Sequence, residues 1–167
     1  MTAIIRIAAL AALCALAPGG IVAPAGASAG CVAPANASTL RAELIAAVNV
    51  ERQRHGLAPL RDDSALDRAA QNQACDNAAL RSISHLAADG SPLQSRLRSV
   101  GYRYRLATEN TGRGFATPQR AVEWWMNSPK HRANILMTRT RDIGVGIALS
   151  APPDNRLHWI IVMAKSR

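Results

Sequence analysis

IGVGIALSAPPDNRLHWIIVMA, Ile143 to Ala164, decides the fold of this chain. Ile143, Val145, Ile147 and Leu149 alternate with Gly144, Gly146, Ala148 and Ser150, the two-residue period of a strand. Pro152-Pro153-Asp154-Asn155 is a turn. Leu157, Trp159, Ile161 and Met163 then alternate with His158, Ile160, Val162 and Ala164, so the second strand is apolar on nearly both faces. Such a strand is central and covered on both sides. The two glycines in its partner imply close backbone approach. A hairpin covered on both faces needs helices on both sides. The expectation is an α+β fold, a three-layer α-β-α sandwich with a small, mainly antiparallel sheet.

Upstream of the hairpin the period is helical. From Ser38 or Thr39, Leu40, Leu44, Ala47, Val48 and Glu51 recur at three- and four-residue steps. Gly56, with Pro59 behind it, closes that helix. Ser64-Ala65-Leu66-Asp67 has the form of a capping box and opens a second helix through Leu66, Ala69, Ala70, Gln73, Ala74 and Asn77. Ser91-Pro92 and Thr117-Pro118 each set a capping side chain before a proline at the first helical position. They predict a third helix with Leu93 and Leu97 on one face, ended by Gly101, and a fourth through Val122, Trp125 and Met126.

Three polar clusters are left outside these elements. They are Ser84-His85-Leu86-Ala87-Ala88-Asp89-Gly90, Thr108-Glu109-Asn110-Thr111-Gly112 and Lys130-His131-Arg132-Ala133-Asn134. The last is expected as a polar knuckle, with Pro129 ending the fourth helix and Ile135-Leu136-Met137 anchoring the far side. Each also has a structural reading. Asp89-Gly90 is a turn signal, Glu109 could bind backbone amides, and His131 could cap the preceding helix.

Residues 1–29 read as an export signal. Arg6 is the only charge before Arg41, Ile7 to Ala17 is a short apolar run broken by Pro18-Gly19-Gly20, and Ala27-Ser28-Ala29 is a small-x-small cleavage site. A membrane-spanning helix needs about 20 apolar residues without such breaks. The expected organisation is a signal peptide over 1–29, a linker over 30–38 and one domain over 39–167, secreted or held at the cell envelope after cleavage, with no transmembrane segment in the mature chain. Cleavage removes Cys14 and leaves Cys31 and Cys75. An even pair in an exported protein reads as a disulfide. Two separate buried thiols, or lipidation of Cys31 after Ser28-Ala29-Gly30, are the alternatives.

Lys and Arg number 20 against 11 Asp and Glu, and the only lysines are Lys130 and Lys165. A basic surface attracts polyanions such as wall polymers, lipid headgroups or nucleic acid. No basic run interleaved with aromatics and no nucleic-acid motif occurs, so nucleic acid is not an expected partner.

Taken in order, the polar clusters form a pattern. Ser84-His85 to Asp89-Gly90, then Glu109-Asn110, then WMNSPKHRANIL (Trp125 to Leu136), then DIGVGIA (Asp142 to Ala148) and a Trp-containing last strand resemble the CAP superfamily. That superfamily covers cysteine-rich secretory proteins, antigen five and plant pathogenesis-related proteins, and the likeness is to its short, exported bacterial branch. It runs from about Leu40 to the last residue. Asn49-x-x-Arg52-x-x-His55-Gly56-Leu57-x-Pro59-Leu60 fits the family's opening helix and loop. The resemblance implies an α-β-α sandwich with a broad cleft, and a cleft tetrad of two His and two Glu that binds a divalent metal in some members. Carried over, the first His is His85, the first Glu is Glu109 and the second His is His131. The second Glu belongs three residues past Trp125, where this chain has Ser128. Glu123 lies five residues before it, about 140° round a continuous helix, and so is no substitute. The family tends to Gly-Glu-Asn-Ile, where this chain has Thr108-Glu109-Asn110-Thr111.

Two His and one carboxylate are enough for Zn²⁺ with water in the fourth position, the minimum for metal-assisted hydrolysis. The chain has no H-E-x-x-H helix, no G-x-S-x-G elbow and no evident second carboxylate to act as base or to complete a glycosidase pair. The resulting expectation is a secreted, disulfide-linked binding module that needs no cofactor. Its cleft, rimmed by His85, Glu109, Ser128 and His131, takes a lipid or a cell-envelope component; lipid binding is what the resemblance implies. Two alternatives stand beside it. One is a hydrolase using zinc or another weakly held divalent metal on His85, Glu109 and His131. The other is an envelope-docking protein with a vestigial cleft, whose arginine surface meets anionic polymers.

Overall fold

A computed structural model describes residues 30–167, so the signal assigned to 1–29, with Cys14, lies outside the described residues. In chain order they form α1 (Ala37–Arg54), β1 (Arg61–Asp62), α2 (Ser64–Ala79), α3 (Leu93–Ser99), β2 (Tyr104–Arg113), α4 (Pro118–Met126), α5 (Pro129–Ile135), β3 (Asp142–Leu149) and β4 (Leu157–Ser166). The sheet runs in the order β1-β3-β4-β2. β3 and β4 make the expected antiparallel hairpin, from Asp142 opposite Ala164 to Leu149 opposite Leu157. β2 lies antiparallel on the other side of β4, and β1 adds a two-residue parallel pairing to β3.

Alternation along β4 builds two cores. Trp159, Ile161 and Met163 face a layer made by α1, α4 and α5, where Leu44, Val48, Trp125 and Ile135 fill the volume. Ile160, Val162 and Ala164 face α2 and α3, where Leu66, Ala69, Ala70, Ala74 and Leu97 do so. The result is the α-β-α sandwich read from the hairpin.

The glycines of β3 set the distance to α2. A β-carbon on Gly144 would lie 2.2 Å from the Leu66 carbonyl carbon, and one on Gly146 would lie 2.2 Å from that of Ala70. The helix backbone therefore rests directly on the strand. α2 also finishes the strand's outer edge, which β1 covers only at Asp142 and Ile143. Asp67 accepts a hydrogen bond from the Val145 amide at 2.8 Å, and Gln71 accepts from the Ile147 amide at 3.1 Å while donating to its carbonyl at 3.0 Å. Farther along, the Leu149 amide donates to the Val32 carbonyl at 2.8 Å, and a Cys31–Cys75 disulfide ties that segment to α2. Asp67, Gln71 and Cys75 are one helical turn apart, so a single row of side chains closes the edge. An uncovered strand edge invites pairing with other chains.

Four local expectations are corrected. Asp63, not Ser64, caps α2, accepting from the Ala65 and Leu66 amides, which frees Asp67 for the strand. α3 starts at Leu93 with Pro92 at its N-cap, and it lacks a side-chain cap because proline carries no side-chain acceptor; Ser91 lies one residue too early, its amide donating to Asp89. Thr108–Gly112 is not a loop but part of β2, its backbone paired with β4 from Met163 to Trp159. Lys130–Asn134 is helical within α5. Pro129 opens that helix at its first turn, after α4 has already stopped at Met126. The Thr117-Pro118 start of α4 is as expected, with Thr117 accepting from the Arg120 amide.

Candidate functional site

Glu109 and Asn110 are neighbours on β2, so the strand sends their side chains to opposite faces. Glu109 points to the α2/α3 layer. Its Oε1 meets His85 Nδ1 at 2.9 Å, and its Oε2 faces Arg96 Nη2 at 2.8 Å, a charge contact whose angle falls short of a hydrogen bond. The Glu109 and Arg96 side chains are 3% and 6% exposed, whereas His85 is 59% exposed. Two buried opposite charges in contact offset each other's desolvation, and removal of either strands its partner.

The backbone around His85 is held from α2. Buried Gln73 donates to the carbonyls of Ser84 and Leu86, each at 3.0 Å, and Asn77 donates to Ser84 O at 3.1 Å. Arg96 donates to the His85 carbonyl at 3.2 Å. His85 is thus aimed at Glu109 by its flanking carbonyls rather than by its own packing. The hydrogen bond that His85 donates to Glu109 raises the His85 pKa above its ordinary value, against the opposing effect of burial.

Asn110 points to the other layer and stitches α5 to β2. It donates to the His131 carbonyl at 3.1 Å and accepts from Asn134 at 2.9 Å, while Asn134 also donates to the Glu109 carbonyl at 3.2 Å. The far end of α5 is fixed by buried Arg52, which donates to Ile135 O at 2.7 Å and Met137 O at 3.1 Å. A guanidinium there also suits the negative end of the helix. His131 lies against Trp124, ring centroids 5.1 Å apart, and Trp124 lies 5.5 Å from Phe115. Trp124 is 46% exposed. Nδ1 of His131 is buried without a hydrogen-bond partner. Burial, and then the charge of His85, lower the His131 pKa.

The structure therefore joins His85 to Glu109 directly. His131 stands on the neighbouring face, linked through Asn110 and Asn134 and within electrostatic reach of His85. Ser128 is the N-cap of α5 and makes no side-chain capping bond. Since α4 and α5 are separate helices, the angular argument against Glu123 does not apply as framed. Glu123 instead pairs on the surface with Arg120 at 3.0 Å. Among the described residues, no three His, Cys, Asp or Glu side chains are grouped to hold a metal ion. Of the expected trio, His85 and Glu109 are in contact at 2.9 Å, and His131 is not grouped with them as a third ligand.

Sequence reasoning missed Arg96, Trp124 and Phe115. Arg96 had a signal: it falls three residues after Leu93 and beside Leu97, on the buried face of α3, where an arginine requires a partner. Trp124-Trp125 had one too, since adjacent helical residues cannot both face one core.

Comparison with known proteins follows the same lines. A sequence model of the family described as CAP, the cysteine-rich secretory protein family, matches residues 45–163. A Bacillus subtilis protein described as uncharacterized, YkwD, is 36% identical over 115 residues, which are 68% of this chain and 44% of that protein. The chain thus spans less than half of that relative's length. An outer surface protein from Borrelia burgdorferi superposes with a TM-score of 0.69 at 24% identity, covering 75% of this chain and 92% of that one. An extracellular Bacillus anthracis protein containing an SCP domain gives 0.69 at 22% identity, covering 77% and 41%. At these identities the two structures speak for the fold alone.

Proposed function

We propose that this chain, which belongs to the cysteine-rich secretory protein family, is a non-catalytic binding module of the cell exterior. Its ligand is a lipid or another amphipathic envelope component, taken at the surface beside His85 and the Trp124–His131 pair, with Glu109 buried behind His85. The observation that carries this reading is the state of Glu109. Glu109 is 3% exposed, with His85 at 2.9 Å from one oxygen and Arg96 at 2.8 Å from the other, so a substrate or a metal ion would have to displace one of them to reach it. What the site does offer is an aromatic platform, Trp124 with Phe115, beside a histidine with an unpartnered buried nitrogen. An apolar face with a polar handle suits an amphipathic molecule. Ser128, in the place of the family's second Glu, adds no charge of its own there.

Export is supported by the leader-like residues 1–29 and the disulfide. The relatives named as outer-surface and extracellular proteins agree. Among the described residues no helix is long and apolar enough to cross a membrane.

The test is titration of the purified protein with phospholipid vesicles and with cell-wall fragments, read by tryptophan fluorescence. Saturable binding that drops about tenfold or more in Trp124→Ala and His131→Ala is expected, the scale of a lost aromatic anchor. Binding absent from the wild type, or unchanged in both variants, would remove the proposal. Metal-dependent turnover abolished by His131→Ala with folding intact would replace it with the hydrolase.

A further inference from the structure

The start of β2 carries a second feature, about 17 Å of strand away from Glu109. Here the end of α3, the first residues of β2 and the segment after β4 enclose a groove of about 480 Å³. Arg98, Arg103, Arg105 and Arg167 line it, together with Tyr102 and Tyr104. All four arginines are exposed. No Asp or Glu side chain lines the groove.

Among the described residues, exposed Arg68, Arg81, Arg132, Arg139 and Arg141 also lie singly without an acidic partner, while other surface arginines are answered by acids. Arg54 meets Glu51, Arg61 meets Asp142, Arg120 meets Glu123 and Arg156 meets Asp154. None of the four groove arginines has such a partner among the described residues. The nearest acid in the bonding network is buried Asp142, and it is taken by the Tyr102 hydroxyl at 2.8 Å and by Arg61 at 3.0 Å. Neutral anchors then set part of the groove in place. Arg167 Nε donates to the Tyr104 carbonyl at 3.1 Å, and the Arg167 amide donates to Arg103 O at 3.0 Å. Arg98 Nη2 donates to Ser95 Oγ at 3.2 Å. The remaining guanidinium N–H groups are left to face solvent.

Four like charges around one groove repel one another, and an anion relieves that repulsion. A guanidinium fork binds an oxyanion through two parallel hydrogen bonds. One phosphate fills one or two forks; four forks along a groove suit several oxyanions in a row. We infer that this groove is a binding site for a phosphate-bearing linear polymer, separate from the His85–Glu109 site and independent of the reading given to it. Such a site would hold the protein on a polyanionic envelope component while leaving the His85–Glu109 region free.

The experiment titrates the purified protein with linear polyphosphate, with inorganic phosphate at equal phosphorus concentration, and with phosphatidylglycerol vesicles. Saturable polyphosphate binding is expected, with a logarithmic salt slope of about 0.7 for each phosphate contact. Arg103→Ala/Arg105→Ala should weaken it about tenfold or more at physiological salt and flatten the slope by about 1.4, two contacts' worth. Arg98→Ala/Arg167→Ala serves as a second variant, and thermal melts confirm that each pair folds. Arg54→Ala/Arg139→Ala removes the same charge elsewhere and should leave affinity within about twofold, as expected for screened distant charges. Inorganic phosphate should compete poorly. Equal loss in the Arg54/Arg139 variant would reduce the effect to net charge and overturn the site. So would a lack of saturable polyphosphate binding, or vesicle binding that polyphosphate cannot displace.

Discussion

The two faces of the sheet are closed by different means. On the α2/α3 side the helix backbone touches the strand, and the contact is made by Gly144, Gly146 and a row of alanines. On the α1/α4/α5 side the space is wider and is filled by Trp125, Trp159, Leu44 and Ile135. The first face is fixed by backbone geometry and has no slack. The second is fixed by volume, so it can give. The candidate site lies at β2, the edge strand where the two layers meet. It draws His85 and Arg96 from the tight side and His131 and Asn134 from the voluminous side.

The contrast is tested most severely by a matched pair of substitutions. Gly146→Ala adds a single carbon, but that carbon meets the backbone of Ala70, which no rotamer change relieves. The expected loss exceeds about 5 kcal/mol, enough to leave the protein unfolded. Trp125→Ala removes a far larger, fully buried side chain and its 2.9 Å hydrogen bond to Thr111 O. It should cost about 3–5 kcal/mol and still fold where the neighbours relax. Urea denaturation of the two variants ranks them. If Gly146→Ala proved the milder one, the tight face would not be the rigid one.

A smaller effect probes how the tight face is held at its edge. Gln71→Ala removes the donor and the acceptor that serve Ile147. The loss should be about 1–2 kcal/mol. Amide exchange should quicken at Ile147 and much less at Val145, which Asp67 still covers. Uniform acceleration along β3 would mean that α2 acts as a body and not through this row of side chains.

These two faces also explain what could be read in advance. The hairpin was legible because Ile143–Ser150 and Leu157–Ala164 each alternate on either side of a Pro-Pro-Asp-Asn turn, and β4 is apolar on both sides. The pairing of Cys31 with Cys75 was legible once Cys14 was assigned to the leader, which left an even pair. β2 was not, because Thr108, Glu109, Asn110 and Thr111 are polar. A buried strand normally declares itself through apolar residues, and this one satisfies its side chains through Arg96, His85 and Asn134 instead. The partners come from α3, from α5 and from the connection between α2 and α3, so no local pattern shows them. α5 was hidden for a related reason: seven residues beginning with proline give too few turns for a periodic stripe. The residues of the site could thus be picked out by resemblance, but their division between two faces could not. That division follows only once Glu109 and Asn110 are placed on a strand.

The smallest effect concerns the link between the faces across β2. His85 is held above its ordinary pKa by Glu109, and His131 is held below its own by burial and by His85. The signs follow. The His85–Glu109 contribution to stability is fully present below the unfolded His value of about 6.5 and is lost as pH rises through the higher folded value. His131 acts in the opposite sense: the folded state resists its protonation, so stability falls as pH drops from about 6.5 through its lowered value. Because His85 is more than half exposed, solvent screening keeps its share below about 1 kcal/mol. NMR titration is therefore a better probe than melting. In the wild type His85 should titrate above about 6.5 and His131 below it. In His85→Ala the His131 value should rise part of the way back, since burial remains when the neighbouring charge is gone. A His131 titration unchanged by that substitution would mean that the two histidines do not sense each other, and that β2 separates the layers where here it couples them.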